Sequence, residues 1–260
     1  MTASVPNNAS VLFAMRNRVR RATMSFQKKI QGRVRDLLSW LRLLGKEMHG
    51  KTYDIAYLNQ FGSCDRVRDV LDGKIRPSVN FPDWKQFGAQ SPEEFDQLAY
   101  ESCGMTCLAM ILRFFGRSTV APIELFKQAF AHGCYQMMPN GEMKGLFHLP
   151  FVEFIWDAFG LRSQAFQYVG LNVIADEIAC GRIVIASVNW EIREEEPRPK
   201  RRGGHLVIVT GVEKNRWRIK GFTIHNTSGT TPENQRHHFA SAKNFEKCFS
   251  GNIISVLNPG

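Results

Sequence analysis

The sequence predicts an α+β fold, with helices through its first two thirds and an antiparallel sheet in its last third. Three observations predict it. Apolar residues recur at helical spacing through much of 103–180. β-branched runs follow at 183–190, 205–211 and 217–226. A turn at Lys214-Asn215 joins the last two into an antiparallel pair. In a pair of that length the start of one strand lies beside the end of the other, so His205 and Asn226 are expected to be neighbours.

Taken in order, residues 1–10 are polar and expected to be disordered. Residues 11–48 are expected to be helical. Ile30, Val34, Leu37, Leu38, Leu41 and Leu44 form an apolar stripe, with Arg33, Arg35 and Arg42 off it. Gly32 weakens the middle and suggests a break into two helices. The stripe reads as the face that packs on the protein's own domain, leaving a solvated basic face. The functional alternative is a basic amphipathic segment lying on an anionic membrane or a protein partner.

Residues 50–80 read as loops with a short helix, and 80–84 as an extended approach to the next domain. At 91–96, Ser91 suits an N-cap, Pro92 the first helical position, and Glu94 a capping box. The next stretch sets a cysteine in front of an apolar helix: Cys103, then Leu108, Met110, Ile111, Phe114 and Phe115, with Gly116 at the stop. Further helices are expected at 122–131, 149–159 and 171–180, with a Met-, Asn- and Gly-rich loop at 137–145. Short strands are expected at 163–169 and 253–257. The charged run 191–202 reads as a solvated surface loop, placed where it can gate the motif that follows.

Charge and cysteine content narrow the function. The net charge is +10. In residues 1–50, ten Lys or Arg face only Asp36 and Glu47, a net of +8, so the other 210 residues are close to neutral. The basic character belongs to one segment, which argues against specific nucleic-acid binding. No apolar run approaches the ~20 residues of a membrane-spanning helix. There are six cysteines and no recognisable secretory signal, so the thiols are expected to be reduced and the protein cytoplasmic, with peripheral contact to a membrane where the basic segment reaches one. Cys103 and Cys107 stand one helical turn apart without two further ligands nearby, so no metal is expected, and no cofactor.

The remaining chemistry centres on Cys103. The first turn of a helix favours a thiolate through the macrodipole and the free N–H groups. A histidine can take the thiol proton and return it to a leaving amine. A side-chain amide can hold the other ring nitrogen and fix the tautomer. Gln97, six residues before Cys103, can donate to a developing oxyanion beside the Cys103 amide. Cys107 faces the core. His225 points away from Asn226 along the strand, and His237-His238 read as surface.

These residues resemble a known family. Gln97-x5-Cys103-Gly-x-x-Cys107-Leu-x-Met-Ile-Leu, followed by Gly-His205-Leu-Val-Ile-Val-Thr-Gly, is similar to the bacteriocin-processing, double-glycine leader peptidases, which are papain-like cysteine peptidases. The resemblance runs from about Asn80 to the C-terminus. It implies a papain-like fold, in which a helical half carrying the nucleophile packs on an antiparallel sheet carrying His and Asn. It implies Cys103 as nucleophile, His205 as base and Gln97 in the oxyanion hole. The family's third member is usually an aspartate followed by proline; Asn226-Thr227 stands there. The residue before the nucleophile is usually aspartate, and here it is Ser102.

The expected organisation is therefore a basic, partly helical extension over 1–79 and a peptidase-like domain over 80–260. The expected activity is thiol-dependent hydrolysis of a peptide or small amide, such as a leader or precursor peptide. An acyltransferase or transpeptidase would use the same site. A peptide-binding module without catalysis is the alternative outside enzymes.

Overall fold

The computed structural model describes residues 8–51 and 53–257, with the backbone path alone for 8–22 and Lys51. The disorder expected at 1–10 thus lies mostly outside the described residues, and Asn8 already opens a helix. The helices in chain order are α1 (Asn8–Leu43), α2 (Val67–Leu71), α3 (Pro77–Asn80), α4 (Pro92–Leu98), α5 (Cys103–Phe114), α6 (Pro122–Ala131), α7 (His148–Phe159), α8 (Leu171–Ala179), α9 (Pro232–Gln235) and α10 (Ala242–Cys248). The strands are β1 (Met48–Lys51), β2 (Tyr135–Met137), β3 (Met143–Gly145), β4 (Arg162–Phe166), β5 (Ile183–Val188), β6 (His205–Lys214), β7 (Ile219–Asn226), β8 (His238–Ser241) and β9 (Phe249–Leu257).

Six strands run in the order β4-β9-β5-β6-β7-β8, and β1 adds to β6. Every pairing is antiparallel. The central strand β6 is buried almost throughout, because both of its faces are covered. Leu206 and Ile208 meet the apolar residues of α5, α6 and α7. Val207 and Val209 face the other way, toward α8 and α10. A third cluster, around Phe61, Val67, Phe87 and Phe95, ties α2 and α4 together ahead of α5.

The N-terminal helix departs from expectation in two ways. Gly32 does not break it. A Cβ there would sit 2.2 Å from the Tyr168 carbonyl oxygen, so glycine is what lets the helix approach that loop. The apolar stripe, expected to pack on the domain, faces solvent instead: Ile30, Val34, Leu37, Leu38, Leu41 and Leu44 are all exposed. The buried face is the opposite one, carrying Gly32, Ser39 and Leu43. Polar anchors on and beside α8 select it. Asp36 accepts from the Asn172 backbone N–H (3.1 Å) and Nδ2 (3.0 Å). Asp176 accepts from Ser39 Oγ (2.8 Å) and Arg42 Nη1 (2.6 Å). Asp176 is nearly buried, and a buried carboxylate without these donors would be costly.

Residues 48–79, read from sequence as part of the extension, are built into the domain. Met48–Lys51 is a strand of the sheet, Ile55 joins the core under α5, and Phe61 anchors the third cluster. The apolar helices at 92–98, 103–114, 122–131, 148–159 and 171–179 match the periodicity within a residue or two. The Met-rich loop holds the β2–β3 hairpin. Ser91 caps α4 by accepting from the Glu94 N–H (3.1 Å). Glu94 reaches back to the Gln90 N–H (2.6 Å), not to that of Ser91, so the capping box is displaced by one residue.

Candidate active site

Cys103 is the first residue of α5. Ser102 ends the preceding turn by donating its hydroxyl to Ala99 O (2.9 Å). Cys103 is enclosed by protein but keeps part of its surface open. Burial raises its thiol to about 11; the N–H groups of Leu206, Gly104 and Cys103 pull the other way, while the Glu101 charge adds to the rise. Leu206 follows His205 directly, so α5 meets β6 beside the imidazole's own residue. Cys107 lies one turn on, fully buried, and its thiol donates to Leu206 O (3.6 Å).

His205 opens β6 and is almost fully buried. Gly203 and Gly204 bring the chain to it with φ of 81° and 99°, a left-handed path that glycine takes without strain. The register sets Asn226 opposite Val207, two residues beyond His205. His205 and Asn226 are therefore diagonal neighbours on one face, within reach of each other. His205 Nε2 stands 2.8 Å from Asn226 Oδ1. The Ser228 N–H donates to the same oxygen (3.2 Å), which fixes the orientation of the amide. Oδ1 can only accept, so Nε2 carries the proton and Nδ1 is left as the ring's proton acceptor.

Four residues that sequence reading did not mark hold this pair. Ser228 Oγ lies 3.2 Å from His205 Nε2 and accepts from Arg193 Nη2 (3.3 Å). Arg193 is buried, contrary to the solvated reading of the charged run, and its Nε donates to Trp190 O (2.8 Å). Nothing in that run distinguishes Arg193 from its exposed neighbours. Tyr57 donates its hydroxyl to Asn226 O (2.8 Å). The Gln60 N–H donates to Thr227 O (2.8 Å), its Oε1 accepts from Thr227 Oγ1 (3.0 Å), and its Nε2 donates to Ala99 O (3.0 Å). One side chain thus links the end of β7 to the turn that leads into Cys103.

Gln97 lies on α4 and is exposed, with no side-chain hydrogen bond among the described residues. His225 turns away from Asn226, as the alternation requires, and bonds Ile55 O through Nε2 (2.8 Å). Among the described residues no group of histidines, cysteines and carboxylates could hold a metal ion.

Burial depresses His205 to about 4; the nearby Arg193 charge adds to this, and the Asn226 bond opposes it. The resting pair is therefore a neutral thiol and a neutral imidazole. The unfolded chain, with histidine near 6.5, binds more protons than the native state between those two values, so stability falls as pH drops through that window. Urea unfolding should show a loss of about 2 kcal/mol from this residue between pH 7 and pH 5, absent in His205→Gln. An equal pH dependence in both proteins would mean that His205 is not held neutral.

Residues 80–252 match the model of the Peptidase_C39 like family. Among solved structures, a C39-like peptidase from Bacillus anthracis is similar, at 14% identity, covering 61% of this chain and 90% of that one, with a TM-score of 0.45. A double glycine motif protease from an AMS/PCAT transporter, solved in complex with the leader peptide, is 14% identical over 60% of this chain and 85% of its own, with a TM-score of 0.35. No curated protein matches the sequence.

Proposed function

The chain belongs to the Peptidase_C39 like family, with a papain-like division into a helical half and an antiparallel sheet, and on that premise we propose that it is a cysteine peptidase acting through a thioester acyl-enzyme. One observation carries the reading. Cys103 opens α5 where that helix meets the start of β6, through Cys107 and Leu206, and His205 at the head of β6 has its Nε2 held by Asn226. In the reaction, Cys103 Sγ attacks the carbonyl carbon of a peptide or small amide as its proton passes to His205 Nδ1. His205 returns that proton to the leaving amine. Water then attacks the thioester, with His205 again the base. The Cys103 amide and the exposed Gln97 side chain donate to the oxyanion.

The substrate class we assign is a leader or precursor peptide. The unit we assign to catalysis is 80–260 together with 48–79, which add a strand to β6, core residues and the Tyr57 and Gln60 contacts. All six cysteines are free thiols, which supports a reducing, cytoplasmic setting.

The reading is tested by limiting iodoacetamide at pH 7 with mass-spectrometric mapping. Cys103 should be alkylated at least about tenfold faster than the exposed Cys64 and Cys180. Equal rates would end the reading. Gln97→Ala should leave alkylation unchanged and lower turnover of a fluorogenic peptide library about 10²- to 10³-fold.

A further inference from the structure

We propose that the solvent-facing stripe of α1 is a docking face for an anionic phospholipid bilayer. The helix is fixed on its own domain by Gly32, Asp36, Ser39 and Arg42, all on one side. That side is held mainly by polar contacts, with Leu43 its one apolar residue in the core. The opposite side carries the apolar residues: Phe26 is 64% exposed, Leu37 56% and Leu41 51%, with Ile30, Val34 and Leu44 between and beyond them. The usual arrangement of a surface helix is reversed, since its apolar stripe points away from the core cluster that Leu43 joins. Rotating the helix to bury the stripe would drive a side chain into the Tyr168 carbonyl at the position of Gly32.

From Phe26 to Leu44 the stripe extends for about 27 Å along the helix. It borders a groove of about 1280 Å³ that reaches Leu149 of α7, itself 69% exposed. An exposed apolar stripe of this kind marks an interaction surface.

Charge selects the occupant. Arg33 is exposed beside the stripe, and Lys28, Lys29 and Arg35 are exposed along the helix while resting on Gln167, Tyr168 and Phe166; Arg42 is engaged by Asp176. The one acid on the described part of α1, Asp36, is engaged by Asn172. A second copy docked on the same stripe would set one segment of net +8 against another. A bilayer bearing acidic headgroups offers the opposite sign together with an apolar interior. Long cationic side chains can lie along the stripe and extend their charge to the headgroups.

The test uses the full chain in vesicle flotation. Phosphatidylcholine vesicles containing roughly one third phosphatidylglycerol should retain the protein at least about tenfold better than phosphatidylcholine alone, and raising salt from roughly 0.1 M to 0.5 M should release it. Leu37→Glu with Leu41→Glu should reduce binding at least about tenfold while Cys103 alkylation and circular dichroism stay as in the parent. Leu37→Ser with Leu41→Ser serves if the glutamates impair folding. Equal binding to both vesicle types, or binding that these variants leave unchanged, overturns the proposal. So does a dimer in analytical ultracentrifugation that the variants dissociate while no vesicle is bound, which would assign the stripe to a second copy. Monomeric protein that ignores both vesicles also overturns it and turns the search to an acidic protein partner.

Discussion

His205→Ala is expected to slow alkylation of Cys103 at pH 7 by at least about 10²-fold and to abolish peptide turnover. Burial pushes the thiol up and so disfavours a thiolate that forms alone. Fast alkylation of Cys103 therefore requires transfer of its proton to a nearby base as the sulfur reacts. His205 Nδ1 is the base the fold offers, because Nε2 is committed to Asn226. Without the imidazole the rate should fall toward that of an isolated buried thiol and recover partly as pH is raised toward 10. That recovery separates loss of a base from loss of structure, since an unfolded variant would expose all six cysteines at neutral pH. Unchanged Cys103 alkylation in a folded His205→Ala protein would remove His205 from the mechanism.

Asn226→Ala is expected to lower turnover by about 10²-fold, less than loss of the histidine. Asn226 Oδ1 accepts the Nε2 proton and so keeps Nδ1 free to act. Ser228 Oγ is a second acceptor near the same nitrogen, at 3.2 Å, and should retain part of the orientation when the amide is gone. Asn226→Ala with Ser228→Ala should then cost more than the two single losses combined, because each single variant leaves the other acceptor in place. The loss should appear in kcat more than in KM, since the amide orients a catalytic group instead of holding substrate. Strictly independent effects would mean that Ser228 does not share the role.

The helices and the central strands were legible because their apolar residues repeat at periods that local geometry imposes. The pairing of His205 with Asn226 was legible for the same reason: two strands and a short turn leave little freedom in register. The diagonal offset was not, because it depends on the exact pair at which the turn closes, Lys214 with Ile219; the two bulges shift the register in opposite directions and cancel. The orientation of α1 was read the wrong way round. Periodicity locates an apolar face but does not say what it touches, and here polar anchors on Asp176 and Asn172 decided the packing. Arg193 was hidden inside a charge run, and Tyr57 and Gln60 lie far in sequence from the residues they hold. No local pattern reports such contacts.

Those two residues carry a consequence for when the proposed site assembles. Tyr57 meets Asn226 across 169 positions of chain, and Gln60 meets Thr227 across 167. Contacts of such span close late, because the intervening loop must first surrender its entropy. On the ribosome, α5 and its cysteine emerge more than a hundred residues before β7. A nascent chain therefore carries Cys103 before His205 and Asn226 have been made. Synthesis from the N-terminus thus keeps the proposed site unassembled around Cys103 until nearly the whole polypeptide has been made.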